Sequence, residues 1–336
     1  MTTFPATDST LSAEHLSTLV QEKYGFGKNT KCKLFRTGIN HTYIVSESET
    51  KYVLRIYSYK WRTELEIREE LRLLILLKEN NISVSYPLPN LNGDYLQAIQ
   101  APEGIRYGVL FTYAKGTKIR NVSASTCYSI GVLMAKLHQT TLNQELKRMD
   151  YDVNTLIQLP YQYATTHFSE TIPEMQFLKY GGDQITAVFK EVDATKLRYG
   201  SVHLDLWYDN MNIENEETIT IFDFDFCGNG WLLLDIAYFN LQLFNTEPDL
   251  KLYQLKSDAF FNGYQDITNI SEEEFSLLPY AGFALWNFYL GVQSQRFDNW
   301  SNIFLSENYL KHFIGVIRKW LKYNHIKING ENEIYV

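Results

Sequence analysis

Between Lys31 and Tyr59 polar and apolar residues alternate with period two, and after Gly116 apolar residues recur at helical spacing; this change of period constrains the fold more than any other feature. The runs CKLFRTG, NHTYIVSES and KYVLRIYSY, separated at GIN and SET, outline a three-strand meander. A helix is expected before them, from about Ser12 to Lys23, with Ser12 as N-cap and Glu14 in its first turn. A long helix, roughly Arg62 to Asn80, follows them, then the turn region PLPNLNG and two further strand-like runs, DYLQAIQ and YGVLFTYA. Beyond Gly116, SASTCYSIGVLMAKLHQ has a serine-rich entry and helical periodicity, and Tyr151–Leu197 reads as mostly helix with loops. Ser201–Gly230 is turn-rich with two brief strands, and from Trp231 several helices are expected, broken near Pro248, Thr268, Pro279 and Trp300. The fold class is therefore α+β: a small β-rich N-terminal lobe with a leading helix (residues 1–113) and a larger helical C-terminal lobe (residues 114–336), with a linker at Ala114–Lys118. A cleft between such lobes is a natural ligand site.

Composition narrows the partners. The chain has 336 residues, 45% hydrophobic and 21% charged, the balance of an ordinary globular protein with room for a real core. A formal net charge of −8 argues against a nucleic-acid partner, because phosphate-backbone binding needs a basic surface. There is no run of 18 or more apolar residues, so no membrane span is expected. The opening MTTFPATDSTLSAEH has no basic segment followed by an apolar stretch, which argues against a secretory signal. Cys32, Cys127 and Cys227 are scattered without metal-ligand spacing, as in a protein of the reducing cytoplasm. No histidine pair shows zinc spacing, and there is no G-x-x-x-x-G-K-[ST] segment.

The chemistry concentrates in Ser201–Asp225. His203, Asp205 and Asn210 stand as H-x-D-x-x-x-x-N, and Asp223 follows Asn210 by 13 residues within an apolar strand, TIFDF. Phosphoryl transfer needs hard oxygen ligands for a metal ion, a positioned acceptor hydroxyl and donors around the triphosphate. In that scheme Asp205 orients the acceptor and takes its proton, while Asn210 and Asp223 hold Mg²⁺ against the phosphates of ATP or GTP. Asp225 is either a second metal contact or an anchor of the loop.

This spacing is shared with the protein-kinase catalytic loop, H-R-D-x-x-x-x-N, and the D-F-G that follows it. More closely, the chain resembles the aminoglycoside phosphotransferase, choline kinase and type II homoserine kinase superfamily. There the loop usually reads like HGDLHPGN and the metal strand like IDFD, followed by a G and a DLA; here they read HLDLWYDN and FDFDFCGNGWLLLDIA. The run FDFDFCGNGW, the opening FPATDSTLS, RTGINHTY and LRIYSYKWR look most like the branch containing the bacterial stress response kinase A. The resemblance spans nearly the whole chain and is weakest between about Asn143 and Leu197. It implies a protein-kinase-like bilobal fold, with His203 as a buried brace and Asp235 tying a helix to the catalytic loop. The usual glycine after the histidine is Leu204, the usual second histidine is Trp207, and the glycine before the asparagine is Asp209. These departures bear on the acceptor more than on catalysis. Trp207 and Asp209 are candidate substrate contacts, and Asp209 would suit an ammonium-bearing acceptor.

The same resemblance places a nucleotide site in the N-terminal lobe. YVLR (Tyr52–Arg55) has the pattern of the kinase V-A-I-K strand, and alternation puts Val53 and Arg55 on one face. Val53 would line the adenine pocket and Arg55 would reach the α- and β-phosphates, since arginine keeps a fixed charge and adds forked donors. Glu66, Glu69 and Glu70 fall on the leucine face of the next helix and are candidate partners for Arg55, with Glu70 favoured by the resemblance. RTGIN (Arg36–Asn40) matches the phosphate-covering loop, with Gly38 permitting close backbone approach and Asn40 at its end. Backbone groups of Phe111–Tyr113 would meet the purine edge.

Three readings follow. The first is a small-molecule kinase, whose acceptor is a hydroxylated metabolite or antibiotic, with or without an amino group. A Ser/Thr protein kinase is the second, and a nucleotide-binding module without catalysis is the third. Only 12 positions separate Asp223 from Asp235, which leaves little chain for a peptide-binding platform and favours the first.

Overall fold

The Ser12 hydroxyl accepts the amide of His15 and opens helix α1 (Ala13–Tyr24), which ends at Gly25 in the left-handed region, φ 69°. The computed structural model describes residues 4–297 and 305–328. They fall into two units, one formed by Met1–Gly116 with Thr220–Phe222, the other by Thr117–Ile219 with Asp223–Val336.

In the first unit β1 (Lys31–Arg36), β2 (His41–Glu47), β3 (Thr50–Ile56), β4 (Gln97–Ala101) and β5 (Gly104–Thr112) form one antiparallel sheet in the order β1-β2-β3-β5-β4. The period-two pattern is used as alternation dictates. Tyr43 and Val45, Leu54 and Ile56, and Leu110 bury against Leu16, Val20 and Tyr24 of α1. Register aligns Ile44, Val53 and Phe111 in one row, and Thr42, Arg55 and Val109 in another, on the opposite face. Helix α2 (Glu64–Glu79) starts with a capping box between Thr63 and Glu66. Arg106 is fully buried and donates to the carbonyls of Tyr57 (2.8 Å) and Ser9 (2.7 Å), which ties the segment before α1 to the sheet.

The second unit is mainly helical, with α3 (Ala124–Thr141), α4 (Leu159–Thr165) entered through a π-helical turn (Asn154–Gln158), and α5 (Pro173–Glu191). After these come α6 (Leu233–Thr246), α7 (Leu250–Gln265), α8 (Glu272–Gln295) and α9 (Glu307–Tyr323). Every residue of α6 from Leu233 to Leu243 is buried. No helix among the described residues is long and apolar enough to cross a membrane.

Two sequence expectations are corrected. Where two brief strands were expected in Ser201–Gly230, four short ones touch the region: β6 (Tyr199–Val202), β7 (Met211–Glu214), β8 (Thr218–Ile221) and β9 (Gly228–Trp231), paired β6 with β9 and β7 with β8. β9 reads GNGW and looks like a turn, but its glycines admit a neighbouring chain: a Cβ on Gly228 would lie 2.5 Å from the Met149 carbonyl oxygen. The second is Pro279, at which α8 does not break. A proline removes one rung of the helix; buried Leu277, Leu278 and Ala281 keep the helix packed on both sides of it, and its carbonyl accepts the indole N–H of Trp320 at 3.0 Å. The break expected near Trp300 lies outside the described residues.

Helices α3 and α7 cross at two glycines. A Cβ on Gly131 would stand 2.1 Å from the Phe260 carbonyl oxygen, and one on Gly263 would stand 2.1 Å from that of Tyr128. Backbone contact this close leaves no space for a methyl group. Gly131→Ala is expected to destabilise the fold by at least about 1–3 kcal/mol, the usual range for overpacking. A lower urea midpoint at unchanged m-value would report it, and an unchanged midpoint would show that the crossing can open at no cost.

Candidate active site

Asp235 sits in the first turn of α6 with its side chain fully enclosed. Its carboxylate accepts the backbone N–H of His203 (2.9 Å) and of Leu204 (2.6 Å), and His138 Nε2 lies 3.2 Å away. The other nitrogen of His138 is 2.7 Å from the Tyr264 hydroxyl. Burial pushes the Asp235 carboxyl up most strongly, but His138, the nearby His203 ring and the amides together outweigh it and hold the group below its ordinary value. The two amides belong to a strained turn. Leu204 has φ 68°, a left-handed conformation that costs a side-chain-bearing residue about 1–2 kcal/mol. Asp235 offsets that strain, and Leu204 stands where the resembling superfamily has glycine. His203 is fully buried against Phe224 (ring centroids 4.3 Å apart), and its Nδ1 accepts the backbone N–H of Asp205 at 3.1 Å. This is the geometry of a brace.

Asp205 follows the turn. Its Oδ1 accepts the Tyr238 hydroxyl and its Oδ2 the amide of Asn210, both at 2.7 Å. Burial pushes the carboxyl up to about 7; the charge of Asp223 adds to the rise, while hydrogen bonds from Tyr238, Tyr289 and Asn210 oppose it. Asn210 thus spends its NH₂ on Asp205, which leaves its carbonyl oxygen as the end that could face a cation. Asp223 is also left-handed, φ 67°, and lies near enough for its charge to act on Asp205. Asp225 is buried, and the turn that carries it is gripped from behind. Arg148 donates to the carbonyls of Asp225 and Cys227, and Tyr151 donates to that of Phe226. Among the described residues no three His, Cys, Asp or Glu side chains converge to hold a metal ion. The nearby donors, the Asn210 amide oxygen and the Asp223 carboxylate, are nevertheless the hard oxygens that Mg²⁺ prefers, so these residues fit a divalent cation shared with a ligand's own oxygens.

In the first unit Arg55 meets Glu70, with Nη1 3.0 Å from Oε1, and Glu70 is fully buried. The Tyr57 hydroxyl takes the other Glu70 oxygen at 3.0 Å, and the Arg55 guanidinium lies 5.3 Å from the centre of the Phe111 ring. The alternatives are engaged elsewhere: Glu66 in the helix cap with Thr63, and Glu69 with Arg72. Val53 is half-buried in the row beside Phe111. Asn40 Oδ1 accepts the amide of Ser58 at 3.1 Å, which pins the end of the RTGIN loop. Nothing crowds Gly38: an added Cβ would find no neighbour nearer than 3.9 Å. Tyr113 is exposed, with Lys51 over its ring.

The candidate substrate contacts fare differently. Trp207 packs edge-on against Tyr208, with centroids 4.6 Å apart. Asp209 accepts Lys118 Nζ at 2.7 Å, so the cation beside it in this structure is one of the chain's own. Lys118, Tyr238, Tyr289, Arg148 and Tyr151 all escaped the sequence reading. Tyr238 had one available signal, its position three residues after Asp235 on the same helix face.

Comparison with known proteins bears on this geometry. A family model described as the phosphotransferase enzyme family matches residues 31–267. An uncharacterised protein of Synechocystis sp. is 29% identical over 310 residues, 89% of this chain and 83% of that one. A homoserine kinase of Bradyrhizobium diazoefficiens is 24% identical over 271 residues, 80% of each chain. Among solved structures, amicoumacin kinase hAmiN in complex with AMP-PNP, Ca²⁺ and Ami superposes with a TM-score of 0.74 at 18% identity, over 93% of this chain and 94% of that one. The α+β, protein-kinase-like fold expected from the sequence is therefore the observed one.

Because the folded-state value of Asp235 is depressed, its stabilising effect is complete above the unfolded carboxylate range and is lost as pH falls through the lower folded value. Asp235→Asn is expected to destabilise the protein by about 1.5–3 kcal/mol at pH 7, the range for hydrogen bonds to a charged group. The gap to wild type should shrink on acidification. Unfolding midpoints measured from neutral to acid pH decide the matter, and a constant gap would contradict the assignment.

Proposed function

The chain belongs to the phosphotransferase enzyme family, and from that premise we propose that it transfers the γ-phosphoryl group of Mg²⁺-bound ATP or GTP to a hydroxyl of a small molecule. The observation that carries the reading is the pairing of Asp205 with Asn210 beside Asp223. One carboxylate is desolvated and aimed, one amide is turned to offer its oxygen, and a second carboxylate stands close by.

Each residue then has a role. Asp205 orients the acceptor hydroxyl and takes its proton as the oxygen–phosphorus bond forms and the nucleoside diphosphate leaves. A carboxyl pushed towards neutrality is a better proton acceptor than an ordinary aspartate. Asn210 and Asp223, with Asp225 behind them, would hold the metal. When bound, Mg²⁺ supplies charge neutralisation at the phosphate oxygens. Arg55, pinned by Glu70 and flanked by Phe111, would present a fixed cation to the α- and β-phosphates. Gly38 and Asn40 would cover the phosphates, and Val53, Phe111 and Tyr113 would receive the base. The open space at Gly38 is what a loop needs if ligand, and not protein, is to fill it.

A small acceptor fits better than a peptide. Between Asp223 and Asp235 the chain is used up by a turn, strand β9 and the start of α6. The homoserine kinase and amicoumacin kinase among its relatives suggest amino-bearing, hydroxylated molecules as the first to try.

A nucleotide-consumption screen over homoserine, ethanolamine, choline, methylthioribose, aminoglycosides and a generic protein substrate is expected to give acceptor-stimulated diphosphate release with a small molecule. Asp205→Asn should lower that turnover by about 10²–10⁴-fold, the usual worth of a positioned general base. Asp223→Ala should abolish the rise in melting temperature produced by Mg²⁺ and nucleotide together. If Asp205→Asn turned over normally, the base assignment would be wrong, and wild type indifferent to every Mg²⁺-nucleotide would overturn the reading as a whole.

A further inference from the structure

Helix α6 sends two polar side chains toward the catalytic loop, from positions 235 and 238, one turn apart on one helix face. Asp235 holds the loop amides and Tyr238 reaches the Asp205 carboxylate. Beside Tyr238 lies Tyr289 of α8, stacked on it with ring centroids 5.2 Å apart and planes 27° apart. The Tyr289 hydroxyl donates to the Leu204 carbonyl at 3.0 Å.

Both side chains hydrogen-bonded to the Asp205 carboxylate are neutral, Asn210 on one oxygen and Tyr238 on the other. Among the described residues no lysine, arginine or histidine forms an ion pair with it. A buried phenol needs an acceptor in any case, and that is the plain structural account of Tyr238. What exceeds that account is the choice of acceptor. With a donor on each oxygen the carboxylate cannot turn about its own axis, so the direction of its remaining lone pairs is set before any acceptor arrives.

We propose that Tyr238 is a positioning residue for phosphoryl transfer, its hydroxyl locking the Asp205 carboxylate in the orientation from which it takes the acceptor's proton. The proposal rests on the function proposed above and goes one step beyond it. The phenolic proton stays on Tyr238 throughout. The acceptor's proton passes to Asp205, the acceptor oxygen bonds to phosphorus, and the nucleoside diphosphate departs with the electrons of the broken bond. Tyr238 is 2% exposed, and its hydroxyl is held far above the ordinary tyrosine range by burial and by the neighbouring carboxylate, consistent with a donor that does not ionise.

Tyr238→Phe keeps the stacked ring and deletes only the hydroxyl. Steady-state kinetics with MgATP and whichever screened acceptor gives the highest turnover (or with water as acceptor if none stimulates it) provide the test. The expected result is a fall in kcat of about 10- to 100-fold, the size of one lost hydrogen bond to a charged group. The KM for MgATP should stay within about twofold, because the lost hydroxyl bonds to Asp205 and orients proton transfer without touching the nucleotide. Tyr289→Phe, which removes a bond to the loop backbone, is expected to lose less than Tyr238→Phe. Two outcomes would overturn the proposal: an active wild type whose Tyr238→Phe variant keeps its kcat, or a variant in which kcat, KM and melting temperature all deteriorate together, as in a general loss of structure. A wild type that neither binds MgATP nor turns it over would instead remove the functional reading beneath the proposal, and the proposal with it.

Discussion

A carboxylate with no access to water must find its hydrogen bonds inside the protein, and the second unit is organised around meeting that demand for Asp235. Its partners come from the loop after β6 and from His138 on α3, and His138 in turn engages Tyr264 on α7. The Tyr264 ring faces Arg198 at 5.5 Å, and Arg198 forks onto Glu274 at the start of α8. Four helices and the loop after β6 are thus joined by one chain of largely buried polar contacts. The strained turn at Leu204 exists because Asp235 captures two consecutive amides, and a turn that points two N–H groups at one acceptor has few alternative conformations. Rigidity at Asp205 follows from the rigidity of the residue before it.

Two aspartates within this network are driven in opposite directions by the kind of partner each has. Asp235 and Asp205 both suffer burial. Asp235 has an imidazole and two backbone amides in contact and is held ionised. Asp205 has neutral donors and the charge of Asp223 nearby, and its carboxyl rises. The opposed shifts follow from opposed environments, an imidazole and amides for one group, neutral donors and a nearby negative charge for the other. The same helix touches both, through Asp235 and, one turn later, Tyr238, whose hydrogen bond opposes the rise at Asp205.

How much of this was legible in the sequence depended on how local the determinant was. The three-strand meander, α1 with its Ser12 cap and the α2 helix follow from alternation, periodicity and capping, which are properties of short windows. The spacing of His203, Asp205, Asn210 and Asp223 was visible for the same reason. Tyr238 and Tyr289 were hidden because each sits in a helix so apolar, LLLDIAYFNL and FALWNFYLGV, that its hydroxyl looked like one more core ring. Arg148 lay in the stretch of weakest resemblance, and nothing in the letters around it tells that its guanidinium ends on carbonyls of the metal-strand turn. Strand β9, GNGW, is hard to read because glycine signals a turn unless one knows that another chain segment needs the space. In each case the missing information was a partner distant in sequence.

The residues that depart from the superfamily pattern share one physical effect. Leu204 takes a backbone conformation that glycine adopts without strain, and its cost is met from α6, so the departure changes how the turn is held and leaves the turn itself in place. Asp209, in place of a glycine, closes onto Lys118 and ties the loop to the start of the helical unit. Trp207, in place of a histidine, lays its edge on Tyr208. All three positions make internal contacts that hold the loop. Next to Asp205, Tyr238 on α6, Phe288 and Tyr289 on α8 and Phe226 in the turn before β9 contact one another, so the carboxylate is backed by rings and not by a charged partner.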